Sequence, residues 1–475
     1  MCTAPTYDEL AALVVSLRRE LATAQAKIVE LEARLGKNSQ NSSKPPSSDP
    51  PGTPRPRHKK RRRRKRGGQP GHEAHGAGEP DHVDKVIAYR ASACDFCQAA
   101  LPEVALTGAF ESHYVYALPE IRPVVTDHRC LDALCPRCGK VTRASLPPDV
   151  PTGQYDPSVQ AMTGFVRGEL KQSVRQTSAV MTNLMHVPMS TGMVAKTQHQ
   201  VSQALAAPCA EALAYVQAHD RVHADETSWR ENLKKAWLWV AATALVTVFL
   251  IRTSRGATAA RDLLGASFLG ILTTDRWASY NWVATMRRQL CWSHLKRDFT
   301  SFLDYGPEAK RLGQRLLCEK NKMFRLWHRV RDGTLGRAAF QLAMKPVRRR
   351  MLALLEEGRG VPCAKVRGMC KEILKLSDAL FTFVDVEGVQ PSNNAAERAI
   401  RFAVLWRKGS FGSDSACGSR FVERFLTVRA TLRSQGRDLY AYLKHACTAA
   451  LHGTAPLSLL PAEAPDATEA MLPAA

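Results

Sequence analysis

The chain has 475 residues and 45% hydrophobic content, which allows two or three domains with a sizeable core and excludes a disordered polymer. Its formal charge of +23 points to a polyanionic partner rather than an acidic one. The first residues carry no secretory pattern, and the longest apolar run, residues 236–251, is shorter than the roughly 20 residues of a membrane helix. A cytoplasmic protein without a membrane partner is therefore expected, and its 13 cysteines read as thiols and metal ligands rather than disulfides.

Leu10, Val14, Leu17, Leu21, Ala24, Ile28, Leu31 and Leu35 alternate steps of four and three. That is a heptad seam, and it predicts an N-terminal coiled coil over residues 6–36 that joins copies into a homodimer or higher oligomer. An amphipathic helix packed on its own domain is the alternative. Thr6 and Glu9 have capping-box spacing, and Gly36 ends the pattern.

Residues 37–80 read as a linker and DNA-binding arm. Asn, Ser, Pro and Gly come first, too polar to order themselves. A cationic run at 55–66 follows and includes Arg61, Arg62, Arg63, Arg64, Lys65 and Arg66. Its like charges repel unless phosphate neutralises them, so the arm should position double-stranded DNA without reading its sequence.

Within residues 81–150, Cys94-x-x-Cys97 and Cys135-x-x-Cys138 have the spacing of two zinc knuckles, which predicts a small domain around a structural zinc ion. Four free core cysteines are the simpler alternative. Residues 151–219 are helical in pattern, with Pro188 and Pro208 as breaks. A helix over 176–185 followed by one capped by Ser190 fits a helix-turn-helix, whose second helix would offer Lys196, Gln198 and Gln200 to DNA. Plain helix packing fits the same pattern.

Residues 221–229, 236–243 and 245–251 are rich in β-branched and aromatic side chains and read as a three-strand meander. A helix at 257–264 and a buried strand at 268–274 come next. The meander carries Asp225 and the buried strand ends on Asp275, an acid at the edge of an apolar strand that demands a reason. Asp275 has a structural alternative as the cap of a helix starting at Arg276. Glu226 points to the strand face opposite Asp225 and is the easiest residue to confuse with it. Cys291-x-x-His294 is half a metal site or a packed pair beside the acids. Residues 293–388 have helical spacing and no place inside a compact sheet. Glu397 follows Asn394 at capping-box spacing, so an N-terminal helix cap is its structural alternative. Arg398 and Arg401 flank it, available to phosphate or to solvent. A helical tail over 420–451 alternates apolar and basic residues, and residues 453–475 read as a flexible end.

Four words in this order carry a resemblance: His223-Ala224-Asp225-Glu226-Thr227, Thr274-Asp275-Arg276-Trp277-Ala278-Ser279-Tyr280, Cys291-Trp292-Ser293-His294 and Asn393-Asn394-Ala395-Ala396-Glu397-Arg398-Ala399-Ile400-Arg401. They resemble the bacterial insertion-sequence transposases of family sixty-six, within the DDE transposases. One word departs from that pattern, with Arg276-Trp277 where the family has Gly-Tyr. The resemblance implies a ribonuclease H-like α/β catalytic core, a mixed five-stranded sheet with helices, made of residues 220–292 and 389–452 and interrupted by a helical insertion at 293–388.

The resemblance further implies that Asp225, Asp275 and Glu397 are catalytic and hold two Mg2+ or Mn2+ ions per active site. Asp225 would bridge both ions, with one each on Asp275 and Glu397, to cut element ends and join them to target DNA. Small accessory transposition proteins and a nucleoid-associated location belong to the same expectation. A zinc-containing DNA-binding regulator or an inactive relic is the main alternative, and a nuclease of RNA or DNA junctions shares the same acids.

Overall fold

The computed structural model describes residues 6–39, 41, 79–102 and 110–461. The cationic run at 55–66, with Arg61, Arg62, Arg63, Arg64, Lys65 and Arg66, lies outside the described residues, as does the end of the chain from 462. Contacts divide the chain into two compact units, residues 52–122 and the remainder. The first cysteine pair belongs to the smaller unit and the second to the larger.

In the larger unit, α1 (Tyr7–Leu35) opens on a complete capping box. The Thr6 N–H donates to Glu9 Oε2 at 2.8 Å, and the Glu9 N–H returns to Thr6 Oγ1 at 3.4 Å. The seam residues Leu10, Val14, Leu17, Leu21, Ile28, Leu31 and Leu35 are all exposed. β1 (Asp132–Leu134) and β2 (Val141–Arg143) form a short antiparallel ribbon.

Four helices follow. α2 (Pro157–Gly168) is capped by Asp156, and α3 (Val174–Ala179) runs into a π-helical turn at Val180–Leu184. α4 (Thr191–Ala204) is capped by Ser190, which accepts the Met193 N–H at 3.2 Å, and α5 (Ala206–Ala218) comes next. Pro208 is not a break. It sits in the first turn of α5, where a backbone N–H would have no helical partner anyway, and the chain turns at Leu205 instead.

The sheet comprises β3 (Arg221–Glu231), β4 (Lys234–Ala242) and β5 (Thr247–Arg252), then β6 (Ile271–Thr274) and β7 (Arg288–Leu290), with α6 (Ala257–Leu264) before β6. Its order is β5-β4-β3-β6-β7. The first three strands pair antiparallel, and β3–β6 and β6–β7 pair parallel, which makes the sheet mixed. Asn232 and Leu233, both at positive φ, make the tight hairpin between β3 and β4.

Between β7 and the last three helices lie α7 (Trp292–Ser301), α8 (Pro307–Arg331), α9 (Arg337–Glu357), α10 (Ala364–Leu374) and the one-turn α11 (Thr382–Asp385). These helices share a hydrophobic core distinct from that of the sheet, built on Phe299, Leu316, Phe340, Met351 and Phe383. α12 (Asn394–Ser410), α13 (Ala416–Gln435) and α14 (Leu439–His452) then return to the sheet core, where Trp406, Phe421, Phe425 and Leu443 are buried.

β5 is an edge strand, and α13 covers it in a specific way. Thr431 Oγ1 accepts the Thr247 N–H at 3.1 Å and Thr427 Oγ1 the Phe249 N–H at 3.0 Å, while Glu423 Oε1 takes the Ile251 N–H. Steps of four on the helix thus match steps of two on the strand, which satisfies donors an edge would leave open. The expected single tail helix is two helices, because Gly436 adopts φ +66° and ends α13. The expected flexible end is also partly docked, since Leu459 is fully buried in the sheet core and its carbonyl accepts from Gln435.

Candidate active site

Backbone register brings the first two acids together. β3 and β6 pair with an offset of 50 residues, Arg221 with Ile271 and His223 with Thr273. The pairing stops at His223–Thr273 and β6 ends at Thr274; continued two residues past it, the same offset would bring Asp275 opposite Asp225, and Asp275 acts electrostatically on Asp225. β6 and β7 pair with an offset of 16, Thr274 with Leu290, so Cys291 takes the next place in the row. The Cys291 N–H donates to Thr274 O at 2.8 Å and holds that place.

Glu397 arrives from the opposite direction, in the first turn of α12. Its helix is anchored by Asn393, which is fully buried. The Asn393 amide donates to Ala224 O at 2.7 Å, so its carbonyl oxygen faces His223 Nδ1 at 3.2 Å. Burial pushes His223 down to about 4, so the ring is neutral and Nδ1–H is the donor to that oxygen. Asn393 therefore caps nothing with its side chain; it ties the start of α12 to β3 one residue before Asp225. The Asn394–Glu397 capping box is not formed, because the N-cap is Asn393.

Glu226, Asp275 and Glu397 all act electrostatically on Asp225. Burial comes first and these like charges second in pushing the Asp225 carboxyl well above the usual carboxylate range, and the Glu226 N–H at 2.9 Å offsets only part of it. Asp275 does not cap a helix at Arg276. Its Oδ1 accepts the Trp277 N–H at 2.8 Å in a local turn, and the short 3-10 turn that follows begins at Ala278.

Glu226 points away from this face and is fully engaged. Arg255 donates to its Oε1 through Nε at 3.0 Å and Nη2 at 2.7 Å, and the Tyr280 hydroxyl donates to Oε2 at 2.7 Å. Arg255 in turn lies 3.7 Å from the Trp277 ring centroid and 4.6 Å from that of Trp237. The departing pair Arg276-Trp277 thus has structural work, Trp277 on Arg255 and Arg276 in a 2.6 Å ion pair with Asp298. Beneath the row, fully buried Arg288 donates to Asn281 Oδ1 at 2.9 Å and to Asp275 O at 3.3 Å. Sequence reasoning assigned no role to Arg255 or Arg288, because their partners lie on other elements. Tyr280 and Asn393 stood inside quoted words, which was the available signal.

Cys291 and His294 lie against Glu397. Cys291 Sγ is 3.9 Å and His294 Nδ1 3.5 Å from Glu397 Oε1. Burial pushes the Cys291 thiol up to about 11 and lowers His294 from its ordinary range, so both are neutral beside the carboxylate.

The other expected contacts lie elsewhere. Lys196 is exposed on α4, whereas Gln198 is held by Arg167 Nε at 2.7 Å. Arg398 and Arg401 are exposed on α12. Each cysteine pair sits on its own tight turn. The Gln98 N–H donates to Cys94 O and the Gly139 N–H to Cys135 O, both at 2.9 Å, with Gln98 at φ +58° and Gly139 at φ +69°. Backbone N–H groups of Cys97 and Phe96 lower the Cys94 thiol from its ordinary range, and those of Cys138 and Arg137 do the same for Cys135.

An uncharacterized protein of Sinorhizobium fredii is 27% identical over 272 residues, 50% of this chain and 49% of the relative, so the chain spans about half the length of the curated relative it matches. Residues 2–78 match a family of unknown function. Residues 153–420, which contain β3 to β7, the three acids and the Cys291–His294 pair, match the Transposase IS66 family, and the chain belongs to that family.

Proposed function

We propose that this chain is a DDE-type DNA transposase that binds the terminal inverted repeats of an insertion sequence and cuts and joins DNA with Asp225, Asp275 and Glu397. What supports the reading is that Asp275, which follows β6, and Glu397, in the first turn of α12, both act electrostatically on Asp225 in β3, within the matched transposase region. Burial and the neighbouring Glu226, Asp275 and Glu397 raise the cost of ionising Asp225, a cost that a hard divalent cation on carboxylate oxygens would relieve. Asp225, Asp275 and Glu397 would hold magnesium or manganese, which supplies activation of the attacking oxygen and stabilisation of the leaving one in phosphodiester cleavage.

The chain's own residues do the rest. Asn393 and neutral His223 fix the distance between β3 and α12, and Arg288 fixes the backbone at Asp275. Arg255 and Tyr280 occupy Glu226, which keeps a fourth carboxylate out of the cation site. Exposed Arg398 and Arg401 beside Glu397 meet DNA phosphates. The exposed seam of α1 pairs two copies, because two element ends require two sites.

The test is cleavage and strand transfer by the purified chain on element-end DNA with magnesium. Asp225→Asn is expected to abolish both while end binding stays within about twofold, since an amide fits the strand but is a poor cation ligand. Cleavage that survives this change ends the proposal. End binding without cleavage by the unmodified chain supports a DNA-binding regulator instead.

A further inference from the structure

Glu397 has neighbours that hard-cation chemistry does not use. We infer that Cys291, His294 and Glu397 form a separate site for a borderline-soft divalent cation, zinc above all, which competes with the three-carboxylate site for Glu397. Every pair among the three donor atoms lies within 4.8 Å. Sγ to Oε1 is 3.9 Å and Nδ1 to Oε1 is 3.5 Å. With the usual zinc–ligand bond lengths, neighbouring donors of a tetrahedral ion stand roughly 3.3–3.5 Å apart, so both contacts of Glu397 are within a few tenths of an ångström of that spacing, and Cys291 and His294 need close on each other only from within 4.8 Å. Three protein ligands leave a fourth position open.

The backbone prepares the trio. Cys291 is the N-cap of α7 and His294 its third residue, so both side chains face α12 from the same turn. The Asn393 N–H donates to Cys291 Sγ at 3.2 Å, and the Ser293 and His294 N–H groups also point at it, the kind of outer contact that supports a metal-bound thiolate. Among the described residues, buried His294 Nδ1 has no hydrogen-bond partner, its contact with Glu397 Oε1 at 3.5 Å being an ion-pair distance only. Such an atom calls for an explanation, and a bound ion supplies one. Thiolate and imidazole select zinc over magnesium, whereas the carboxylates of Asp225 and Asp275 do the reverse.

The competition rests on the proposed role of Glu397 in DNA cleavage, but the zinc site itself does not. A zinc ion on the trio would withdraw Glu397 from the hard cations, so zinc should inhibit cleavage and magnesium should weaken zinc binding at this one site.

The experiment counts zinc on the full-length chain by equilibrium dialysis, with no DNA and no magnesium, and repeats the count with cobalt to read thiolate-to-cobalt absorption. Cys291→Ser and His294→Gln are each expected to bind one equivalent fewer than the unmodified chain, with affinity for that equivalent reduced by at least about 100-fold. Asp225→Asn is expected to keep the full count, and Cys94→Ser and Cys135→Ser report separately on zinc held by the exposed pairs. Thermal melting checks that the variants fold; if Cys291→Ser does not, His294→Gln and the cobalt spectrum decide. An equal zinc count for the unmodified chain and His294→Gln overturns the site and leaves His294 as a residue that only orients Glu397. Because this count needs no DNA cleavage, its failure and that of the transposase reading are separate results.

Discussion

Asp225 and Glu226 are adjacent acids with opposite energetics. Glu226 has its two oxygens filled by Arg255 and Tyr280 and its side chain almost wholly buried. Removing it strands a buried hydroxyl and a half-buried guanidinium, so Glu226→Ala should cost about 3 kcal/mol of stability, since breaking a buried pair from one side is strongly destabilising. Asp225 has only its neighbour's N–H to set against burial and three like charges. Its folded pKa lies above its unfolded one, so the folded state holds the extra proton, and stability is fully present below the ordinary carboxylate pKa and lost as pH rises above it. Asp225→Asn should therefore raise the melting temperature of the metal-free chain near neutral pH and leave it unchanged well below the ordinary carboxylate range. Glu226→Ala should lower it at both. Melting curves at two pH values, with a chelator present, check the pair, and a loss of stability in Asp225→Asn at neutral pH contradicts the account.

At the scale of elements, the strands and α6 were legible because β-branched runs and helical periodicity are local signals, and α6 spans the residues read for it. The acids could be named because they stand in words with a recognisable order. Their alignment was not legible: the offset of 50 between β3 and β6 is fixed by pairing, and nothing in either segment states it. The same limit hid the trio, since Cys291 and Glu397 are 106 residues apart, and the cover on β5, where Thr427 and Thr431 look like ordinary helix residues until their partners 178 and 184 residues away are known. Pro208 misled for a local reason, because a helix-breaking residue is harmless in a first turn. α1 is the converse case, a clear sequence pattern whose apolar seam is exposed in the single chain and whose proposed partner is a second copy. Seven apolar seam residues exposed along 29 helical residues make a poor isolated surface. Deletion of residues 6–36 is expected to halve the mass seen by light scattering and to suppress strand transfer of paired ends, while nicking of a single end persists. An unchanged mass would place the oligomer interface elsewhere.

Charge belongs to the whole molecule. Of the formal +23, the run at 55–66 contributes ten, from seven arginines and three lysines with no acid among them, which leaves 23 − 10 = +13 over the other 463 residues. These two portions should act differently on DNA. A dense run neutralises neighbouring phosphates and releases their counterions, and each such contact adds about 0.9 to the slope of log affinity against log salt. Ten contacts at most make a change of about nine in that slope when the run is deleted. The loss should be the same on element-end and unrelated DNA, because a dense run of like charges is expected to touch phosphates and not base edges. Preference for element ends is then expected from folded surfaces, with Lys196, exposed in the second turn of Ser190-capped α4, as the proposed contact. Fluorescence anisotropy over a range of salt, on both DNAs, separates the two portions. Deletion of 55–66 should flatten both salt curves and keep their ratio at each salt concentration; a ratio that collapses towards one would mean that the run itself reads sequence, and the division between a gripping arm and a reading core would be wrong.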